Sequence, residues 1–489
     1  MMKAHVTRFA LLAVFLSNAS LVPAQTTDKR SQEKTRAAQQ SPIAVRGELV
    51  YTMAGEPIRD GVVLVRDGKI ERVGTANDVR VPSNYRTIRA RVVTPGLIDA
   101  HTVVGLAGYL NQPHDQDQVE RSAAMQPELR AIDAYNAREE LVSWLRRHGV
   151  TTIHTGHGPG ALVSGGTMIA KTVGDTADEA AFVPDAMIAV TLGPDAYAAA
   201  GKAPGTRAKE LALLRQELIR AQEFVAKAAR TKAATTTTAA PSTPQPPTAG
   251  GTDPAATPPS PDEQVGARGT TDTTTPVGRP AETQPAPGTQ TGAQRAEGGK
   301  EDARDLRREA FARVIRRETP LLITADRAQD ILSALRLARE FNIRIVLDSA
   351  AEAYLVTDEI KRANVPVIVH PTMYRATGET ENLSMETPAT LLHAGIPVAL
   401  QSGFESYVPK TRVVLFEAAL AAANGLEPQE ALSLITIGAA RLLGVEQRVG
   451  SLEAGKDADL ALFDGDPFEY TTHVRTVIIN GQVVSEESR

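Results

Sequence analysis

"VVTPGLIDAHTVVG", residues 92–105, is the stretch on which the rest of the chain turns. Val92, Val93, Leu97 and Ile98 form the near-continuous apolar run of a strand buried on both faces. The run leads into His101. Two residues on, where a metal-binding pair would carry its second imidazole, stands Val103.

The same pattern repeats downstream. Apolar strand-like runs occur in "VTTIHT" (150–155), "AMIAVTLG" (186–193) and "VPVIVHP" (365–371). Others are followed by amphipathic helical patterns: "PLLITAD" (320–326) by "AQDILSALRLAREF", "IRIVLDS" (343–349) by "AEAYLVTDEIKRAN", and "GIPVALQSG" (395–403) by "VVLFEAALAAAN". Such alternation predicts an α/β fold with a parallel sheet covered on both faces. A TIM-type (β/α)8 barrel is the economical closure; periodicity alone leaves a doubly wound open sheet as the alternative.

Both ends of the chain read differently. "AVRGELVYT", "GVVLVRDGKIERVG" and "YRTIRARVVT" near the start are short alternating runs broken by Gly and Asp-Gly turns, and "ADLALFDGDPF" and "VRTVIINGQVV" near the end repeat that style. They predict one flanking composite β-sandwich, with an N-terminal part over 42–92 and a C-terminal part over 446–489, around a barrel over 93–445. Residues 231–300 contain no Leu, Ile, Met or aromatic residue and are dominated by Thr, Ala, Pro and Gly. That composition cannot bury enough surface to offset its ordering entropy, so a disordered insertion is expected there.

Composition narrows the function. Formal net charge is −5, with Lys and Arg scattered and not forming a stripe, which argues against nucleic acid as a partner. The first 24 residues combine a basic start, the apolar run "FALLAVFL" and a small-residue exit at Val22 and Ala24, the pattern of a signal peptide. Residues 25–41 follow as a polar, flexible leader. Export to the periplasm or the extracellular space is expected, with no membrane span in the mature chain. There is no cysteine, which excludes thiolate metal sites and cysteine nucleophiles.

In a barrel of strand–helix units, chemistry gathers at the carboxyl ends of the strands. Those ends carry His101, His154, His157, Thr324, Asp326, Asp348, Ser349, His370, Ser402 and Gly403. Ser402, Ser349 and Ser164 lack the G-x-S-x-G surround of an activated serine. Asp99 reads as a support of the first strand end. His114, His148, His393 and His473 read as solvated or capping groups.

The run "TPGLIDAH", the units "ITADRAQDI", "AEAYLVTDEIKRANVPVI" and "HAGIPVAL", the segment "ITIGAARLLGVEQRVGSLEAGKDADLALFDGDPF" and the ending "VRTVIINGQVV" together resemble the amidohydrolase superfamily, in its imidazolonepropionase-like branch. The resemblance spans about residues 42–487 apart from the insertion. It implies a metal-supporting barrel with a composite sandwich, and hydrolysis of carbon–nitrogen bonds in cyclic or linear amides and dipeptides. It also implies one or two divalent ions, usually zinc, that lower the pKa of a bound water. Their ligands would be a His-x-His pair after the first strand, a bridging Lys or Glu after the fourth, a His after each of the fifth and sixth, and an Asp after the eighth.

Carried over by position, only His101 matches. The second histidine of the pair falls on Val103, the bridging lysine near Ala189, the next two histidines on Thr324 and Ser349, and the aspartate on Gly403. A catalytic zinc needs about three protein ligands. The resemblance therefore predicts a dismantled metal centre with no catalytic or metal-binding residue assigned, no cofactor, and a pocket that binds a small molecule or a partner. Two alternatives stay open: a relocated zinc or iron site built from His154, His157 and His370, and a scaffold that pairs with an active relative or as a homo-oligomer. The glycine-rich "HTGHGPGALVSGG" (154–166) is expected to be a loop over the barrel mouth.

Overall fold

The computed structural model describes residues 41–110, 112–198, 201–238, 305–404 and 413–486. The expected signal peptide and almost all of the leader lie outside these residues, as does most of the expected insertion. The chain divides into two compact units, 1–226 with 306–489, and 227–305. Of the second unit only 227–238 and 305 are described.

Seven strands drawn from both ends of the chain form one sheet. β1 (Ile43–Val50), β2 (Ile58–Arg66), β3 (Lys69–Thr75) and β4 (Arg86–Pro95) come from the start, and β15 (Leu460–Phe463), β16 (Val474–Ile479) and β17 (Gln482–Glu486) from the end. The order is β17-β16-β15-β4-β1-β2-β3. Its register pairs Leu460 with Pro95 and Phe463 with Val92, so the opening of the first subsection's stretch is hydrogen-bonded to the C-terminal strands. β16 and β17 turn at Asn480 (φ 50°) and Gly481 (φ 74°), the two left-handed residues that a tight hairpin needs.

The chain leaves this sheet at Gly96. A Cβ there would lie 2.2 Å from Thr151 Oγ1, so only glycine lets the strand pass this closely. Beyond it, β5 (Leu97–Thr102) begins a second sheet with β6 (Val150–Thr155), β8 (Met168–Lys171) and β9 (Ala181–Val183), in the order β5-β6-β8-β9. The third sheet contains β7 (Val163–Gly166), β10 (Ile188–Thr191), β11 (Leu321–Thr324), β12 (Ile345–Ser349), β13 (Val367–Val369) and β14 (Val398–Leu400), ordered β14-β13-β12-β11-β10-β7. From β10 to β14 every pair is parallel, and helices Ala328–Phe341, Thr357–Ala363, Thr387–His393 and Val414–Ala423 follow β11 to β14 in turn.

The described strands beyond the first sheet thus form mixed α/β sheets, with a parallel run from β10 to β14. β7 and β8 are separated only by Thr167, and they run antiparallel to β10 and β6 respectively. The same residues correct the reading of 154–166 as a loop: Val163–Gly166 is a fully buried strand. Gly165 and Gly166 hid it from a propensity reading, because a strand without side chains has no alternation to detect. One segment therefore belongs to both sheets. At the opposite edges, the Gly403 amide donates to the His101 carbonyl oxygen (3.3 Å).

The helix beginning at Arg207 runs to Thr238, eight residues into the expected insertion. Extending an existing helix costs far less than starting one, so "TKAATTTT" continues it without an apolar face of its own.

A buried cation ties β8 to the C-terminal strands. Lys171, 4% exposed, bonds Asp457 (3.2 Å), Asn480 (3.1 Å) and Asp459, and Asp457 also accepts from Lys69 (2.6 Å) and Arg448 (2.8 Å). Among the described residues no helix is long and apolar enough to cross a membrane.

Candidate functional site

The carboxyl ends of β5, β11, β12 and β14 converge on a cavity of about 480 Å³, lined among others by His101, Val103, Thr324, Asp326, Asp348, Ser349 and Gly403. Its floor is organised around Asp348, 2% exposed. Three side chains donate to this carboxylate: His101 through Nδ1 (2.9 Å), Gln401 through Nε2 (3.0 Å) and Thr324 through Oγ1 (2.7 Å). Because the carboxylate can only accept, His101 carries its proton on Nδ1, and Nε2 is left without a hydrogen-bond partner. Burial, the largest influence, drives the His101 imidazole toward its neutral form, yet the charge and hydrogen bond of Asp348 together with the charge of Asp99 outweigh it and raise its pKa. Burial works against the Asp348 carboxylate too, and His101 reverses it, holding that carboxyl below its usual range. Both directions describe a buried ion pair.

Two further carboxylates are clasped in the same way. Asp326 accepts from Ser349 Oγ (2.5 Å) and from the Ala351 amide (3.4 Å), both on Oδ1, and burial pushes its pKa up to about 6. Asp99, fully buried, accepts from the amides of Ser402 (3.0 Å) and His101 (3.3 Å) and from the Ser402 hydroxyl; burial raises it to about 7. Ser402 and Ser349 are therefore committed to carboxylates, and Ser164 bonds backbone carbonyls of Gly158 and Ala161, so none of the three serines has an imidazole to activate it.

The three remaining histidines do not form the relocated site. His154 donates from Nδ1 to the Ala100 carbonyl (2.8 Å), so its Nε2 accepts from Thr167 Oγ1 (2.7 Å), and burial lowers its pKa to about 3. Neither nitrogen is left for a metal. His370 donates from Nδ1 to the Pro371 carbonyl (3.0 Å), and burial lowers its pKa. His157 packs against Gly165 with both ring nitrogens unpartnered, and burial lowers it to about 4. Among the described residues no three His, Asp or Glu side chains are grouped so as to hold a metal ion. The donor set does not fit a zinc or iron centre.

The other positions singled out by sequence are filled by apolar side chains or backbone. Val103 is 7% and Ala189 6% exposed. Gly403 has φ +71°, and a Cβ there would lie 2.5 Å from Pro371 Cγ. That backbone is shaped for glycine and resists any longer residue.

Sequence reasoning missed Gln401, which holds Asp348, and the loop residues Asp195, Tyr197, Tyr374 and Phe404, which line the upper cavity. The loop residues sit outside any periodic segment. Gln401 could have been found as the first polar residue after an apolar strand.

Comparison with known proteins agrees with this architecture. A family profile described as "Amidohydrolase family" matches residues 279–485. The imidazolonepropionase of Shouchella clausii is 35% identical over 103 residues, 20% of this chain and 23% of that protein. The imidazolonepropionase of Thermoplasma volcanium is 30% identical over 104 residues, 20% of this chain and 26% of that protein. The match thus spans about a quarter of the length of these curated relatives. The crystal structure of an amidohydrolase from Thermotoga maritima MSB8 superposes with a TM-score of 0.73 at 24% identity, covering 91% of this chain and all of that one. Residues 279–485 thus resemble the amidohydrolase family in sequence, and the chain shares the fold of the Thermotoga maritima amidohydrolase.

Proposed function

We propose that this chain is an exported amidohydrolase-superfamily protein, of the imidazolonepropionase-like branch, that has given up metal-dependent hydrolysis and uses the cavity at its strand ends to bind a small molecule. In the family's working members a divalent ion sits between histidines and carboxylates and activates water. Here the supporting observation is Asp348: its carboxylate accepts from His101, Gln401 and Thr324, so protein donors occupy three of the roughly four lone-pair sites an ion would compete for. Val103, Ala189, Thr324, Ser349 and Gly403 are read as the vacated ligand positions, and the glycine-shaped backbone at Gly403 supports that reading. Joined through Val163–Lys171 on one side and by the Gly403–His101 bond on the other, the two α/β sheets are read as one barrel wall.

What this chain's own residues supply is recognition. The buried pair of His101 and Asp348 fixes the imidazole orientation. Metal analysis of protein purified after growth with zinc and iron tests the proposal, together with an assay for hydrolysis of cyclic amides and dipeptides. Substoichiometric metal and no turnover are expected. Near-stoichiometric zinc or iron, lost together with activity in His101→Ala, would overturn it. Export is tested separately by the N-terminal mass of the mature chain, with cleavage after Ala24 expected.

A further inference from the structure

The charges around the cavity are unevenly paired. Four carboxylates line it, those of Asp195, Asp326, Asp348 and Glu379, against two cationic side chains, His101 and Arg121. Asp348 is consumed by His101. Glu379 is paired with Arg207 and lies 3.8 Å from Arg327. Asp195 and Asp326 have no cationic partner among the described residues, and the Asp195 charge raises the cost of ionising Asp326. Arg121 is exposed and lies beside Gly160 in the loop after β6, whereas Asp195 and Asp326 follow β10 and β11.

A second, independent observation comes from the other wall. Nε2 of His101, in a residue 5% exposed, is a buried polar atom with no partner in the protein, and the imidazole lines this same cavity. Leaving such an atom unsatisfied is costly, so the occupant must supply a hydrogen-bonding group to it. Tyr197, Tyr374 and Phe404 complete the walls with aromatic faces of the kind that attract a cation.

Resting on the reading of this cavity as a binding site, we infer that it takes a small organic cation, an ammonium or guanidinium, held by Asp195 and Asp326, whose other end carries a neutral hydrogen-bonding group that meets His101. The cavity volume suits a ligand of metabolite size. The amine end gains two carboxylates that have no other counter-charge. The neutral end satisfies Nε2 without competing with Asp348 for the imidazolium.

Calorimetric titration of the full chain with three near-isosteric probes tests this: cationic 4-aminobutanamide, neutral pentanamide and anionic 3-carbamoylpropanoate. The cation is expected to bind about tenfold or more tightly than either of the others, and Asp195→Asn and Asp326→Asn are each expected to weaken it about tenfold while leaving pentanamide unchanged. Asp195 is exposed, so its variant keeps the test alive if Asp326→Asn misfolds, which circular dichroism would reveal. Equal or tighter binding of the neutral or anionic probe overturns the inference, as does absence of cation binding at millimolar concentration or indifference to both substitutions. None of these outcomes touches the proposed loss of the metal centre, which the metal analysis decides by itself.

Discussion

Introducing an acidic group at position 403 should damage the fold and should not create a metal site. Gly403 sits at φ +71°, and a Cβ on it would approach Pro371 Cγ to 2.5 Å and Tyr374 Oη to 3.4 Å. A side chain in the left-handed region costs about 1–2 kcal/mol. Forcing extra atoms into a packed wall costs about 1–3 kcal/mol more. Gly403→Asp should therefore lose roughly 2–5 kcal/mol. It also places a carboxylate in the cavity wall against Pro371 and Tyr374. Because the steric part arises at Cβ, Gly403→Ala should show most of the same loss. Urea denaturation followed by circular dichroism measures both variants, and zinc competition with a chromogenic chelator measures any gained affinity. A Gly403→Asp protein as stable as the parent, with new zinc affinity, would refute both the strain argument and the reading of this position as closed.

Three further outcomes follow from the buried charges. Asp348→Ala leaves His101 buried without its counter-ion and should cost about 3–5 kcal/mol; NMR titration of the surviving imidazole should place its pKa below the ordinary 6.5, since burial, the largest influence, is then opposed only by the charge of Asp99. His154, held near 3 in the folded state, binds fewer protons there than when unfolded, so its contribution to stability is present above pH 6.5 and is lost as pH falls toward 3. The stability gap between the parent and His154→Gln should accordingly narrow by about 2 kcal/mol between pH 6.5 and 4.5, and parallel pH profiles would contradict that. Asp326 behaves oppositely: with its pKa up at about 6 the folded state holds the proton more tightly, so stability rises as pH drops through 6 toward 3.8, and Asp326→Asn should be the more stable protein at pH 8 but not at pH 4.

Much of the architecture was legible because it is written in local patterns. Hairpin alternation at both ends of the chain predicted strands, and those strands pair across some 400 residues, Arg86 even bonding Glu486 (3.1 Å). The apolar runs ending at Thr324, Ser349, Val369 and Leu400 each became a parallel strand with its helix following. The segment 163–171 was not legible. Its glycines carry no periodicity, and only the neighbours β6 and β10 make it a strand.

By itself the sequence determined which residue types stand at each strand end: His101 with Val103 two residues on, then Thr324, Ser349 and Gly403. Only the tertiary structure decided what those residues do. It brings Asp348 to His101 across 247 positions, turns Thr324 and Gln401 onto the same carboxylate, and leaves Asp195 and Asp326 facing a cavity without counter-charge. Propensity and hydrophobic periodicity act over a few residues, whereas pairing of buried polar groups depends on which distant strands become neighbours, and that is fixed only when the sheets assemble.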